Sequence, residues 1–395
     1  MFLSKIINKT TALKIVHTIV TLLLIGLCST ALPAQNLEKI LEFLTVHPNK
    51  QAVIMDSTIY PAKVIITPVV TYAPETNLSF GLGMKGLFKM RGSGPETRTS
   101  NIPLSVQYTI ENKYSFYSGF EIFFPQERYM LTGEVNVQSF PSLYFDVGQD
   151  TPKQNEEQFG YSQILIEPIF LKNVFRKYLF LGGGIRYNRI SRLEVEPEGL
   201  LATSDQPGAG GSNSTGLQLA MIYDSRDNIL NASTGMFLSI THGYYSTSFF
   251  STQDFQLTKL DFRYYWQPLG KASSILGFHF ITHFSYGDPP LLEQARLGGG
   301  DIMRGYFEGR YVDRNMVATQ VEWRQKLNYR WGVVGFAGIG SVASSLDAFN
   351  FETIRPSFGV GIRFLIDAPE NLNIRFDYGV GNEKSNFYFK IAESF

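Results

Sequence analysis

The sequence predicts an all-β fold, a transmembrane antiparallel β-barrel of about sixteen strands, and three observations predict it. From about residue 62 to the last residue, side chains alternate with period two in runs of about ten residues or more. The polar faces of those runs carry full charges of both signs, which suits a wet interior rather than a dry core. The connections between runs also sort by parity, long at one rim and short at the other.

Alternation is clearest near the end of the chain. In 316–327, Val317, Thr319, Val321, Trp323 and Leu327 form one face and Ala318, Gln320, Glu322, Arg324 and Lys326 the other. In 372–381, Leu372, Ile374, Phe376, Tyr378 and Val380 oppose Asn373, Arg375, Asp377 and Gly379. Phe358, Val360, Ile362, Phe364 and Ile366 oppose Ser357, Gly359, Gly361, Arg363 and Leu365. Leu217, Leu219, Met221 and Tyr223 oppose Gln218, Ala220, Asp224 and Arg226. A soluble sandwich also alternates, with its apolar face inward. Run length, recurrent Tyr, Phe and Trp near run ends, and the charged faces favour a strand between lipid and water.

At the front, residues 1–34 read as a secretory signal: Lys5, Lys9 and Lys14, then the apolar stretch from Ile15 to Leu27, then small residues up to Ala34. Cys28, the single cysteine, follows a bulky Leu27, so plain cleavage is favoured over lipidation. One cysteine excludes a disulfide framework and a cysteine-based zinc site. Residues 35–61 form a short periplasmic segment with one amphipathic pattern, Leu37, Ile40, Leu41 and Leu44, that predicts a helix. Residues 62–395 are the barrel. With 35 basic and 35 acidic side chains and net charge +0, the composition gives no support to a nucleic-acid partner.

The runs are 62–73, 77–89, 98–111, 114–124, 128–139, 158–171, 177–192, 214–226, 235–247, 253–268, 273–286, 315–327, 331–343, 355–366, 372–381 and 386–395. The long connections 140–157, 193–213, 287–314 and 344–354 all follow odd-numbered runs. Most even-numbered connections are tight, although 90–97 is longer. This is the pattern of an outer-membrane barrel with both ends at the periplasmic rim. The first run contains Pro68, which removes a ladder donor and is expected to break that strand.

Inside the longest connection lies Leu297-Gly298-Gly299-Gly300-Asp301-Ile302-Met303-Arg304-Gly305-Tyr306-Phe307-Glu308-Gly309-Arg310. Its glycines signal backbone bent where side chains would clash, and its apolar residues and arginines argue against disorder. It reads as an ordered loop that packs into something, with Arg304 as anchor. Asp224, Arg226, Asp227, Asn228 and Gly235 sit at a strand end and turn, where side-chain to backbone bonds would staple the chain. Phe387, Phe389, Ile391 and Phe395 share one face of the last run.

These three stretches together resemble the BamA/TamA-type outer-membrane assembly-factor barrels, the bacterial surface antigens. The glycine-rich Arg304-Gly305-Tyr306 segment resembles that family's sixth external loop and falls, like it, between strands eleven and twelve. Asp224-Ser225-Arg226-Asp227-Asn228 with Gly235 is similar to the family's Asp-x-Arg-Asp-Asn turn, although Ala232-Ser233 stand where a proline is usual. The aromatic last strand resembles the signal by which barrels are handed to assembly machinery. The resemblance implies that the loop folds into the lumen and that Arg304 pairs with a wall carboxylate, for which Glu322 is the choice. Strand thirteen offers Phe336-Ala337-Gly338 where the family often has an Asp, so the arginine is expected to have one fewer acceptor. Members that assemble or secrete proteins carry periplasmic POTRA domains, and residues 35–60 cannot hold one, so a barrel-only member is expected.

Two functions compete on this reading. In one, an integral outer-membrane barrel assists insertion or translocation of proteins, or of lipid, through a lateral seam between its first and last strands. Its partners are then outer-membrane lipid, with nascent outer-membrane proteins or a separate periplasmic partner. In the other, it is a passive pore or structural barrel. No cofactor and no enzyme activity are expected. Gly81-Leu82-Gly83-Met84-Lys85-Gly86 fits a dinucleotide motif but lies inside an alternating run without a following helix. His279 and His283 stand on a strand rising about 3.4 Å per residue, too far apart to share a metal. No G-x-S-x-G elbow occurs.

Overall fold

The computed structural model describes residues 42, 44–48, 50–56, 59–73, 77–110, 112–175, 178–271, 273–382 and 384–395. The expected signal segment 1–34, and the helix expected around Leu37, Ile40 and Leu41, lie outside the described residues. Within the N-terminal segment stand a two-residue strand, Thr45–Val46, and a short helix, Lys50–Met55, which the sequence had not suggested.

Sixteen barrel strands follow: β1 Lys63–Ala73, β2 Asn77–Phe88, β3 Ser100–Thr109, β4 Tyr114–Phe123, β5 Tyr129–Tyr144, β6 Glu157–Phe175, β7 Leu179–Glu194, β8 Ser212–Asp224, β9 Gly235–Tyr245, β10 Phe255–Trp266, β11 Ser274–Gly287, β12 Asn315–Lys326, β13 Trp331–Ala343, β14 Arg355–Asp367, β15 Leu372–Val380 and β16 Ser385–Ile391. Each pairs antiparallel with its neighbour in sequence from β1 to β16, with register shifts in the β6–β7 and β14–β15 pairs. Among the described residues no helix is long and apolar enough to cross a membrane, so the strands do the crossing.

Burial is inverted relative to a soluble protein. On β12, Val321 and Trp323 are exposed while Gln320, Glu322 and Arg324 are buried. On β14, Phe358, Val360 and Ile362 point outward and Ser357 and Arg363 are enclosed. Leu217 and Leu219 are outward on β8, and Gln218 between them is buried. Exposed aromatics gather at both ends of the strands. Tyr129, Tyr178, Trp266, Tyr329 and Trp331 stand at the short-turn rim; Tyr108, Tyr114, Tyr244, Phe250 and Tyr286 stand at the long-loop rim. Such belts mark the two membrane–water boundaries.

Three expectations about strands are corrected. Strand β1 is not broken at Pro68: its pairing continues through Pro68↔Leu82, because a proline that donates no hydrogen bond still fits an extended backbone. Strand β5 extends to Tyr144, well past residue 139. Strand β16 is seven residues long and stops at Ile391. Ala392 then takes φ +75°, and the chain turns into the barrel instead of running on as strand. Phe387 and Phe389 therefore face outward, whereas Phe395 is 6 % exposed and packs with Ala232 and Tyr265. The four residues do not share one face.

The short-turn rim is plugged from inside. The turn 225–234 crosses to the opposite wall, where Asn228 Nδ2 donates to Glu370 O (3.0 Å) and Asn231 Nδ2 to Asn371 O (3.1 Å). Leu230 of this turn joins Ile65, Leu87 and Leu372 in an apolar cluster, with Ile391 and Ala392 against it. This explains why Leu372 is fully buried although the alternation puts it on the lipid face.

An arginine at the lipid-facing Leu219, near the middle of β8, should cost about 2–4 kcal/mol of folding stability. Urea unfolding of Leu219→Arg in lipid vesicles, beside Leu219→Phe as the neutral comparison, checks this.

Candidate functional site

The connection between β11 and β12 begins as a hairpin stem. Ala295–Leu297 pairs antiparallel with Tyr311–Asp313, Ala295 opposite Asp313 and Leu297 opposite Tyr311. The tip between them enters the lumen on a small apolar base of Leu297, Ile302, Met303, Tyr306, Tyr311, Met316 and Val342. Gly305 brings the backbone of the tip against the wall. Its φ is +115°, and a Cβ there would lie 2.4 Å from the carbonyl carbon of Val380. Opposite it, a Cβ on Gly379 would lie 2.6 Å from the carbonyl carbon of Arg304. Loop backbone and β15 backbone touch because both positions lack a side chain.

That contact places Arg304. Its side chain is 0 % exposed. Nη1 donates to Asp377 Oδ2 at 2.5 Å, and Nη2 donates to Glu322 Oε2. The guanidinium carbon lies 3.4 Å from the centre of the Phe336 ring, a cation–π stack. The arginine thus touches β12, β13 and β15. The expectation of one fewer acceptor is corrected: β13 supplies an aromatic face in place of a carboxylate, and the second carboxylate comes from Asp377 on β15. Asp377 was visible in the sequence on the polar face of its run, but nothing in a linear reading says that this face lies opposite the loop.

Neighbouring groups fix both carboxylates. Arg324 Nε donates to Glu322 Oε1 (2.7 Å) and Ser394 Oγ to Glu322 Oε2 (3.0 Å). Arg363 donates to Asp377 Oδ1 through Nη1 and to Glu393 Oε2 through Nε. The tail 392–395 therefore belongs to the network, and Arg324 Nη2 donates to Phe395 O (2.8 Å). Asp301 accepts from Arg375 Nη2 (2.6 Å) and Lys390 Nζ (3.0 Å). Lys390 and Arg375 hold its carboxyl below the usual carboxylate range.

The rest of the tip is held through its backbone. Ser357 Oγ donates to Arg304 O, Gly305 N donates to Tyr388 Oη (2.9 Å), and Asn386 Nδ2 donates to Gly305 O (3.0 Å). Tyr306 Oη donates to Pro356 O (2.7 Å) and accepts from Asn382 N (3.0 Å). Arg310 ties the stem to the connection after β5, donating to Thr151 Oγ1 (2.9 Å) and Thr151 O (2.8 Å). Ser357, Asn386 and Tyr388 carry no sequence signal beyond their place on inward faces.

The second motif is a stapled turn. Asp224 accepts from Arg226 Nε (2.9 Å) and from Arg98 Nη1 (2.6 Å). Arg98 also binds Glu127, with Nη2 to Oε2 at 2.9 Å. Asp227 Oδ1 accepts from Ser233 N (2.8 Å) and Thr234 N (3.1 Å), and Asn228 Oδ1 from Leu230 N (2.7 Å). Gly235 has φ +94°, and a Cβ there would lie 2.3 Å from Ser225 O. Ser233, in the stretch where no proline stands, donates to Asp227 through both N and Oγ. His279 stands beside Asp261 (3.1 Å) and the Phe395 ring, and among the described residues no group of three or more potential metal ligands occurs.

A sheet with lipid-facing apolar residues, a charged interior and an external loop pinned inside defines the class: an integral outer-membrane β-barrel with an inward-folded loop. The Omp85 superfamily domain matches residues 96–395, and the chain belongs to that superfamily. Its fold is similar to that of BamA from Haemophilus ducreyi lacking POTRA domains 1-3, at 12 % identity over 83 % of this chain and 70 % of that one, TM-score 0.53. It is also similar to CdiB from Acinetobacter baumannii, at 11 % identity over 84 % of this chain and 59 % of that one, TM-score 0.53. No curated protein gives a significant match. At these identities the two structures speak to fold alone.

Removing one member of a buried ion pair costs roughly 3–5 kcal/mol. Arg324 and Arg363 remain on the two carboxylates, so Arg304→Ala should cost about 3 kcal/mol, the low end of that range. It should also expose the 298–310 tip to protease, with Gly305→Ala giving the same cleavage. Limited proteolysis with heat-modifiability on gels checks it; wild-type resistance in both variants would rule out an anchoring role for Arg304.

Proposed function

We propose that this barrel assists insertion or translocation of proteins at the outer membrane, working at the lateral seam between β1 and β16. Arg304 acts as the anchor that keeps the loop in the lumen and stiffens the wall on one side of that seam. The observation that carries the reading is the asymmetry of bracing. The loop tip and its ion pairs bind β12 to β16, and among the described residues none of these contacts reaches β1. A seven-residue β16 offers few ladder bonds at its free edge, and a poorly paired edge can accept an extended client strand. The family of the chain supports the same reading.

A passive pore is disfavoured by what fills the lumen: the loop tip, the turn 225–234 and the tail 392–395.

Depletion in cells should lower the folded level of other outer-membrane proteins, measured by quantitative proteomics. The purified barrel should show low, intermittent conductance in planar bilayers. Unchanged outer-membrane protein levels with a steady conductance would favour the pore instead.

A further inference from the structure

Among the connections of the long-loop rim, the one after β7 leaves a cleft of about 390 Å³ on the outside of the barrel, lined by Tyr187, Arg189, Arg192, Gly211, Asn213 and Thr252. The register places Arg189 beside Ile164 on β6 and Asn213 on β8, and Tyr187 beside Ile166 and Thr215. Directly paired residues share a face. Ile164 and Ile166 are 41 % and 40 % exposed toward lipid, so Arg189 and Tyr187 look toward lipid as well.

Arg192 reaches the same cleft through a local irregularity. The β6–β7 register shifts between Ser162↔Ser191 and Gly160↔Glu194, and Arg192 there has φ +52°. A non-glycine residue seldom adopts that conformation, and bulges commonly re-aim a side chain. Among the described residues neither guanidinium has an ion-pair or hydrogen-bond partner. Glu194, at the same strand end, is held by Lys113 Nζ at 2.7 Å. Toward the membrane centre, the same outer face continues as an apolar strip of Ile166, Ile185, Leu217 and Leu219, all exposed.

Two unpaired cations at the external boundary, above a lipid-facing apolar strip, make an amphiphile site. We propose that this cleft binds the phosphorylated sugar headgroup of an outer-leaflet glycolipid, with phosphate on Arg189 and Arg192 and acyl chains along Ile166, Ile185, Leu217 and Leu219. Arginine suits phosphate because its planar fork can donate two parallel hydrogen bonds. Tyr187, an amphipathic ring at the boundary, suits the sugar level. The apolar strip commits the site to a lipid rather than to free phosphate. The proposal does not depend on the seam and stands if the barrel proves to be a structural one.

The test uses the full chain in detergent, with native mass spectrometry as readout and three probes: diphosphoryl lipid A, the same lipid with its phosphates removed, and inorganic phosphate. Diphosphoryl lipid A should stay bound. A boundary arginine contributes roughly fivefold, so Arg189→Gln with Arg192→Gln should weaken binding by about twentyfold or more. The dephosphorylated lipid should bind the parent as weakly as the diphosphoryl lipid binds that variant. Arg189→Lys should keep most of the binding, which separates lost charge from misfolding, and heat-modifiability confirms a folded barrel in each case. Equal retention by parent and double variant, or equal binding of phosphorylated and dephosphorylated lipid, overturns the proposal. Full displacement by inorganic phosphate at the lipid's own concentration assigns the cleft to free phosphate and overturns it as well.

Discussion

One guanidinium, that of Arg304, is the point on which the inside of this barrel is organised. It is fully enclosed, lies between the carboxylates of Glu322 and Asp377, and rests on the ring of Phe336. A charge taken out of water at this depth is costly unless its partners are fixed in place. The wall supplies that fixing: Arg324 and Ser394 hold Glu322, and Arg363 holds Asp377. The pairing is therefore a shared arrangement of several strands rather than a single bridge. Its geometry also depends on two missing side chains, at Gly305 and Gly379, without which the loop could not come close enough for the arginine to reach.

The opposite end of the lumen is closed by a different device. The turn after β8 and the residues after β16 fold inward and meet Arg324, whose guanidinium serves both the loop network above and the tail below. The loop anchor and the periplasmic plug are thus coupled through one side chain. Bracing is concentrated on β12 to β16. Strand β1 is held at its periplasmic end by Lys63 on Asp367 (2.9 Å) and by the short strand Thr45–Val46 opposite Ile65 and Val64.

Much of this was legible in the sequence because a membrane strand needs length and two unlike faces. Val321, Trp323, Phe358 and Leu219 declared the lipid side, and Glu322, Arg324 and Arg363 the lumen, so most strand boundaries fell within a few residues of their places. The failures have physical causes. Phe395 has the spacing of a lipid-facing residue, but Ala392 reverses the backbone and its ring enters the lumen. Asp377 looked like any inward carboxylate, since its role depends on which strand the loop tip meets. Arg192 was read as the last residue of an ordinary run, because a one-residue bulge leaves no mark on composition. The short helix Lys50–Met55 carried no periodicity long enough to read.

The most direct test of this account is a double-mutant cycle on Arg304→Met and Asp377→Asn, with unfolding free energies measured in lipid vesicles. Residues coupled through one buried network show interaction energies of about 0.5–3 kcal/mol. The account predicts a clear coupling within that range, because the two groups meet directly, even though Asp377 keeps Arg363 and Arg304 keeps Glu322 when the other is changed. Strictly additive effects would mean that the arginine and the aspartate do not meet in the folded barrel, and the organisation of the lumen around Arg304 would have to be abandoned.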